Sequence, residues 1–328
     1  MSVFSTPKPA TMDGDSSPTG RRPASTSGPR GTPEHSNRSE FPLGPKKVSR
    51  LLLHAALLLV SLLTRPAAGE ALPRGDVFNP LFADPKEIRT SVDYVWTSSA
   101  QTKTALILVG VGDHLGLIRW RGAHTGETWQ LGVTGGIFAQ FNMHTFSDDL
   151  MNADYLVGLP LSWRLNGTSA RFRIYHQSSH LGDEFLLDHK VTRVNLSYES
   201  SELVLSQEIG AWRLYTGGEW LFARYPPDLK PWVSHSGLEY RAPLGFLHLA
   251  AGRRAQWVLG VDTKTTQEHG VNTGFDFKTG VEYGPIAGSN RAGRSWSFTA
   301  EFYTGRLPFS QYFEDKITSI GLGCQLGL

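Results

Sequence analysis

Residues 129–141, WQLGVTGGIFAQF, decide the fold. One set of alternate positions is Trp129, Leu131, Val133, Gly135, Ile137, Ala139 and Phe141; the other is Gln130, Gly132, Thr134, Gly136, Phe138 and Gln140. Successive side chains of a strand point to opposite faces, so this stretch reads as a strand with one greasy and one polar side. Phe138 is the exception. In residues 153–164, ADYLVGLPLSWR, the apolar set is Ala153, Tyr155, Val157, Leu159, Leu161 and Trp163. Residues 275–283 set Phe275, Phe277, Thr279, Val281 and Tyr283 against Asp276, Lys278, Gly280 and Glu282.

Similar patterns run from Trp212 to Phe222, Trp257 to Val261 and Trp296 to Phe302. At the end, Ile320, Leu322, Cys324, Leu326 and Leu328 alternate with smaller or polar residues; an aromatic is the commoner last residue of outer-membrane barrels. Asn166-Gly167 reads as a tight hairpin, and Glu199 to Glu202 as another short connection. A sandwich would pack the apolar faces together, whereas a barrel would turn them to lipid and its charges to a lumen. Strands of about ten residues, Trp or Tyr near their ends and an export signal favour an all-β, antiparallel transmembrane barrel of about 12 to 14 strands. The count turns on Gly245 to Ala251, read as a loop or a strand, and on residues 90–98, read as a wall strand or as a strap or plug. The first of these also decides which end of the barrel carries residues 179–189.

The export signal is residues 51–63, LLLHAALLLVSLL, preceded by Lys46, Lys47 and Arg50. The run is too short to span a bilayer, and the small residues after Pro66 suit cleavage after Gly69 or Ala71. The expected organisation is a disordered extension over 1–45, rich in Ser, Thr, Pro, Gly and Arg, a signal peptide over 46–71 and a barrel domain over 72–328. The long preface is consistent with a start codon further along, Val48 being one alternative. A formal charge of +2 with no basic run in the barrel argues against a nucleic-acid partner, and the single Cys324 excludes an intrachain disulfide framework or a multi-cysteine metal site. No P-loop, nucleophile elbow or zincin motif is present. Asp154, Arg164, Arg171, Arg173, Arg213, Glu219, Asp276, Lys278, Glu282 and Glu301 fall on polar faces with mixed sign and read as a lumen network.

The densest reactive cluster is residues 173–189, RIYHQSSHLGDEFLLDH. Ala170, Phe172 and Ile174 form the apolar face of the strand before it, and the same parity puts His176 and Ser178 on the lipid side. Polar groups against hydrocarbon cost a few kcal/mol each unless paired, so the pair invites a functional reading. The plainer reading takes His176, Ser178, Ser179, His180, Asp183 and Glu184 as a hydrogen-bonded barrel rim. Asp148 and Asp149 lie in a loop at the same barrel end and are read as part of that rim.

His176 and Ser178, spaced His-x-Ser on one strand, resemble outer-membrane phospholipase A and the lipid A deacylases. The resemblance implies a serine esterase site on the outer wall, with His176 as base, Ser178 as nucleophile and an acid or amide orienting the histidine. Asp188, parity-matched to Thr192, Val194 and Leu196, is the expected orienter; Ser179, His180, Asp183 and Glu184 are the alternatives for the site. Family spacing would place the orienter near Lys190, which cannot serve. Asp183 and Glu184 could also hold Ca²⁺ through carboxylate oxygens. Residues 152–164, 175–186, 228–232 and 313–323 resemble a bacterial family known only as domain of unknown function 1207, which implies fold and outer-membrane location and no activity. Two functions are carried forward: an acyl-ester hydrolase acting on outer-membrane lipid, and a non-catalytic barrel serving as a channel or structural element.

Overall fold

A computed structural model describes residues 69–99, 103–122, 126–145, 148–189, 196–245, 253–268, 270–285, 295–308, 313 and 315–327. The extension over 1–45, nearly all of the signal segment and most of the Gly245–Ala251 stretch lie outside them. A two-residue strand, β1 (Glu70–Ala71), precedes the wall: β2 (Thr90–Ser99), β3 (Lys103–Arg121), β4 (Thr128–Asn142), β5 (Leu150–Leu165), β6 (Thr168–Leu181), β7 (Leu196–Ile209), β8 (Trp212–Tyr225), β9 (Trp232–Pro243), β10 (Arg253–Thr266), β11 (Asn272–Pro285), β12 (Ser295–Arg306) and β13 (Lys316–Gly327). The one described helix, α1 (Asp183–His189), lies between β6 and β7.

From β2 to β13 each strand pairs antiparallel with the next, and β13 closes on β2 from Ile317↔Ser99 to Leu326↔Thr90. The wall is a closed, twelve-stranded up-and-down barrel. Closure removes the sheet edges that hydrocarbon would not tolerate. Residues 90–98 are a wall strand, one of the two outcomes the sequence left open. Asn166-Gly167 forms the β5–β6 hairpin as expected, with Asn166 in the left-handed region at φ 54°. The expected connection at Glu199–Glu202 is corrected, because these residues lie within β7 and pair with β6 and β8.

The two faces part as the alternation requires. Val157, Leu159, Phe172, Ile174, Leu203, Leu205, Phe298 and Leu322 are exposed on the outer surface. Aromatic rings mark both ends: Trp120, Trp129 and Trp163 in contact across β3–β5, Trp212, Tyr240 and Trp257 across β8–β10, and Trp220 with Trp232 towards the opposite end. Such girdles sit at membrane interfaces. Asp154, Arg171, Arg173, Arg213, Asp276 and Lys278 are buried inside, which bears out the lumen network.

Residues 72–89 thread this lumen. Phe78, Leu81, Phe82, Ala83 and Ile88 are buried there, and small wall residues make the room. A Cβ on Gly112 would stand 2.8 Å from Ile88, and one on Gly260 2.9 Å from Phe82. Polar contacts then tie the segment to the wall all around. Arg171 donates to both oxygens of Glu87 at 2.6 and 3.0 Å, and Lys264 to both oxygens of Asp84 at 2.9 Å. Arg213 donates to the carbonyls of Asn79 and Pro80, while the Phe82 amide donates to Glu239 at 2.8 Å. Phe78 is flanked by the guanidinium groups of Arg171 and Arg213, each 4.9 Å from its ring. Phe138, out of place in the sequence pattern, turns inward into the cluster that holds Ile88 and Leu106 and lies under the Lys86 ammonium.

A lumen threaded in this way leaves little room for a continuous aqueous path, which makes conductance a direct test. The protein in planar bilayers is expected to give no sustained current, whereas Asp84→Asn combined with Glu87→Gln, which cuts both carboxylate ties, gives intermittent openings. Steady open-pore conductance from the unaltered protein would contradict this arrangement.

Candidate active site on the outer wall

β6 sits between β5 and β7, and its side chains divide cleanly. Arg171, Arg173, Tyr175, Gln177 and Ser179 are buried inside, while Phe172, Ile174 and His180 are exposed and His176 and Ser178 half-buried on the outer surface. The parity read from the sequence therefore places His176 and Ser178 correctly. His176 stands directly opposite Glu199 on β7, and its Nδ1 lies 3.0 Å from Glu199 Oε1. An ionised carboxylate only accepts, so in the neutral ring the shared proton belongs on Nδ1 and Nε2 is left as the acceptor. Both side chains are partly open on the outside, 40% and 30% exposed.

Ser178 lies two residues further along the same face, opposite Tyr155 on β5 and Ser197 on β7. Among the described residues its hydroxyl makes no hydrogen bond to His176. Side chains two apart on a strand start roughly 6.6 Å from each other at Cα, a gap that rotation of both side chains towards each other can close; unliganded sites often show such loose geometry. Trp163, in the girdle, pairs with Ala170, and Ser178 follows about eight residues later. At a tilt near 45° that is roughly 19 Å along the barrel axis, close to the far edge of an apolar band about 25 Å tall. The pair thus lies towards the end of the wall opposite that girdle.

The alternatives fall elsewhere. Ser179 points inward and donates to Asn152 at 2.8 Å, on the opposite side of the wall from His176. His180 is exposed outside, its ring edge-on to Tyr155 with centroids 5.6 Å apart. Asp188 was expected on a strand, parity-matched to Thr192, Val194 and Leu196; it lies instead on α1, and the carboxylate that faces His176 is that of Glu199. Glu199 escaped the sequence reading because YESSE is polar on both faces: Glu199 and Ser201 point out while Ser200 and Glu202 point in. Counting back by twos from Leu205 and Leu203, which are exposed outside, would have found its face, though not its partner.

Asp183 is exposed on α1, and the side chains of Glu184 and Asp188 lie outside the described residues. The loop with Asp148 and Asp149 is at the same barrel end as α1, as expected, and Asp149 is buried, its amide taking the Thr145 hydroxyl as acceptor. The described group with metal-ligand geometry is a different one: Asp84, His235 and Asp262, in the lumen, with candidate ligand atoms within 4.8 Å of one another. Lys264 already binds both Asp84 oxygens, and Asp262 accepts from Tyr215 and lies 2.6 Å from His235 Nε2. This cluster reads as a latch between the luminal segment and the wall.

A chelator is therefore expected to leave the heat-unfolding midpoint of the purified barrel unchanged. Lys264→Met should lower it, since stranding a buried carboxylate costs about 3–5 kcal/mol. A midpoint that falls when chelator is added to the unaltered protein would place a divalent ion in the cluster.

A family model described as "Protein of unknown function (DUF1207)" matches residues 61–328. No curated protein matches the chain. Among solved structures, outer membrane phospholipase A from Escherichia coli superposes with a TM-score of 0.50 at 15% identity, over 77% of this chain and 94% of that one. The phospholipase dimer of Salmonella typhi with bound calcium gives 0.50 at 14% identity, over the same shares. The fold is that of bacterial outer-membrane barrels.

Proposed function

We propose that this chain, which belongs to the DUF1207 family, is a serine-dependent acyl-ester hydrolase acting on membrane lipid. The observation that carries the reading is the His176–Glu199 pair at 3.0 Å on the lipid-facing wall, with Ser178 next on the same face. A histidine whose Nδ1 proton is fixed by a carboxylate and whose Nε2 is left to accept is a general base in waiting. Polar side chains amid Ile174, Phe172 and Val157 bring no packing advantage in hydrocarbon. The channel alternative loses ground to the filled lumen.

In this reading Ser178 Oγ attacks the ester carbonyl carbon while His176 Nε2 takes its proton. Glu199 keeps the ring in place and stabilises the imidazolium. The tetrahedral intermediate collapses, the C–O bond to the lipid alcohol breaks, and that alkoxide takes the proton from His176. Water, activated by the same imidazole, then releases the fatty acid and regenerates Ser178.

Sidedness follows from the strand count. Twelve strands bring Thr90 and Gly327 to one end, together with the tight turns at Asn166-Gly167 and Gly210-Ala211, while α1 stands at the other. Outer-membrane barrels keep short turns in the periplasm and longer loops outside, which favours the outer leaflet for the dyad. Of the two cleavage positions, after Gly69 or after Ala71, the first would keep Glu70 and Ala71, which pair with Arg119 and Ile118 of β3.

The test is fatty-acid release from phospholipid in mixed micelles. Ser178→Ala and His176→Ala are expected to lower the rate by about a thousandfold or more, and Glu199→Gln by about a hundred- to ten-thousandfold. All three should keep the heat-modifiable gel mobility of a folded barrel. Undiminished hydrolysis by Ser178→Ala would end the reading and leave the structural barrel.

A further inference from the structure

Acyl transfer needs a third element besides a nucleophile and an oriented base, namely donors aimed at the negative oxygen that develops on the carbonyl. On most scaffolds backbone amides supply it. Here they cannot, because β6 is an inner strand of a closed wall. Asn152–Leu165 of β5 pair with it on one side and Leu196–Gln207 of β7 on the other, so the amides around Ser178 are engaged in the two ladders. Freeing one would leave a carbonyl unpaired in hydrocarbon, at a cost of several kcal/mol. The oxyanion donor must therefore be a side chain on the outer face.

Period-two geometry puts two imidazoles on that face, His176 two residues before Ser178 and His180 two residues after. His176 is committed to the proton by Glu199. His180 pairs with Ala153 on β5, is exposed outside, and has its ring edge against Tyr155, the residue directly opposite Ser178. We propose that His180 is a further catalytic residue, whose ring N–H binds the oxyanion on the side of Ser178 away from the base, with Tyr155 as a positioning residue that fixes the ring. This rests on the hydrolase reading. When Ser178 Oγ bonds to the carbonyl carbon, the C=O π pair moves onto oxygen and His180 donates a hydrogen bond to it. When the pair returns, the bond to the lipid alcohol breaks and the alcohol oxygen takes the proton held by His176.

The experiment is steady-state kinetics of the full barrel on a short-chain phospholipid in detergent, run beside fluorophosphonate labelling of Ser178. His180→Ala is expected to lower kcat by about a hundredfold or more, with KM within about twofold. His180→Gln, whose amide N–H can donate, should recover at least tenfold of that loss. Tyr155→Leu, which removes the ring that packs on His180, should lower kcat by about tenfold with KM within about twofold. If Ser178→Ala is inactive but His180→Ala turns over at the full rate, the assignment of His180 fails while the hydrolase reading stands. It also fails if Tyr155→Phe loses a hundredfold, which would make the phenol the donor, or if His180→Ala raises KM and leaves kcat alone. If Ser178 is neither labelled nor needed, the hydrolase reading fails and takes this assignment with it.

Discussion

Hydrocarbon offers no hydrogen-bond partner to a backbone amide, and the architecture follows from that constraint. It forces the twelve strands to close, and closure gives each wall residue a fixed face. Side chains that look outward must be greasy or have a reason not to be. The exposed positions on β6 obey this through Phe172 and Ile174 and then break it at His176 and Ser178. Because the rule is severe, its local failure carries information that the same residues on a soluble surface would not.

The inner face answers to a different demand. Twelve strands enclose more space than their own side chains fill, and the lumen-facing charges need partners once they are away from bulk water. The segment 72–89 serves both needs. Its Phe78, Leu81 and Phe82 fill volume, while Asp84 and Glu87 sit opposite Lys264 and Arg171. A fixed wall is also what the proposed site requires, since His176 and Glu199 belong to different strands and keep their 3.0 Å relation only while the β6–β7 register is fixed.

Much of the fold was legible in the sequence because the period of two is written into every wall strand, from Trp129–Phe141 to the terminal Ile320–Leu326. The side on which His176 and Ser178 lie followed from the same period. What could not be read depended on register across long connections. Glu199 meets His176 only because β7 returns after the α1 loop at one particular offset, and no local feature of YESSE states that offset. Asp188 looked better placed because parity was carried through residues that form a helix instead. The luminal role of 72–89 was hidden for a similar reason: its partners Arg171, Glu239 and Lys264 lie on distant strands, and a segment without periodicity gives no sign of what surrounds it.

The claim on which the rest depends is that β6 presents alternate residues to lipid and to lumen, with Ser178 on the lipid side near the outer interface. Site-directed spin labels, placed one at a time at Ile174, Ser178, Tyr175 and Ser179 in a Cys324→Ser background and read in bilayers, measure this directly. Labels at Ile174 and Ser178 should collide freely with oxygen and poorly with a water-soluble nickel chelate, with the one at Ser178 closer to the interface. Those at Tyr175 and Ser179 should be immobilised and shielded from oxygen. Equal accessibility at neighbouring positions, or the opposite alternation, would contradict the account.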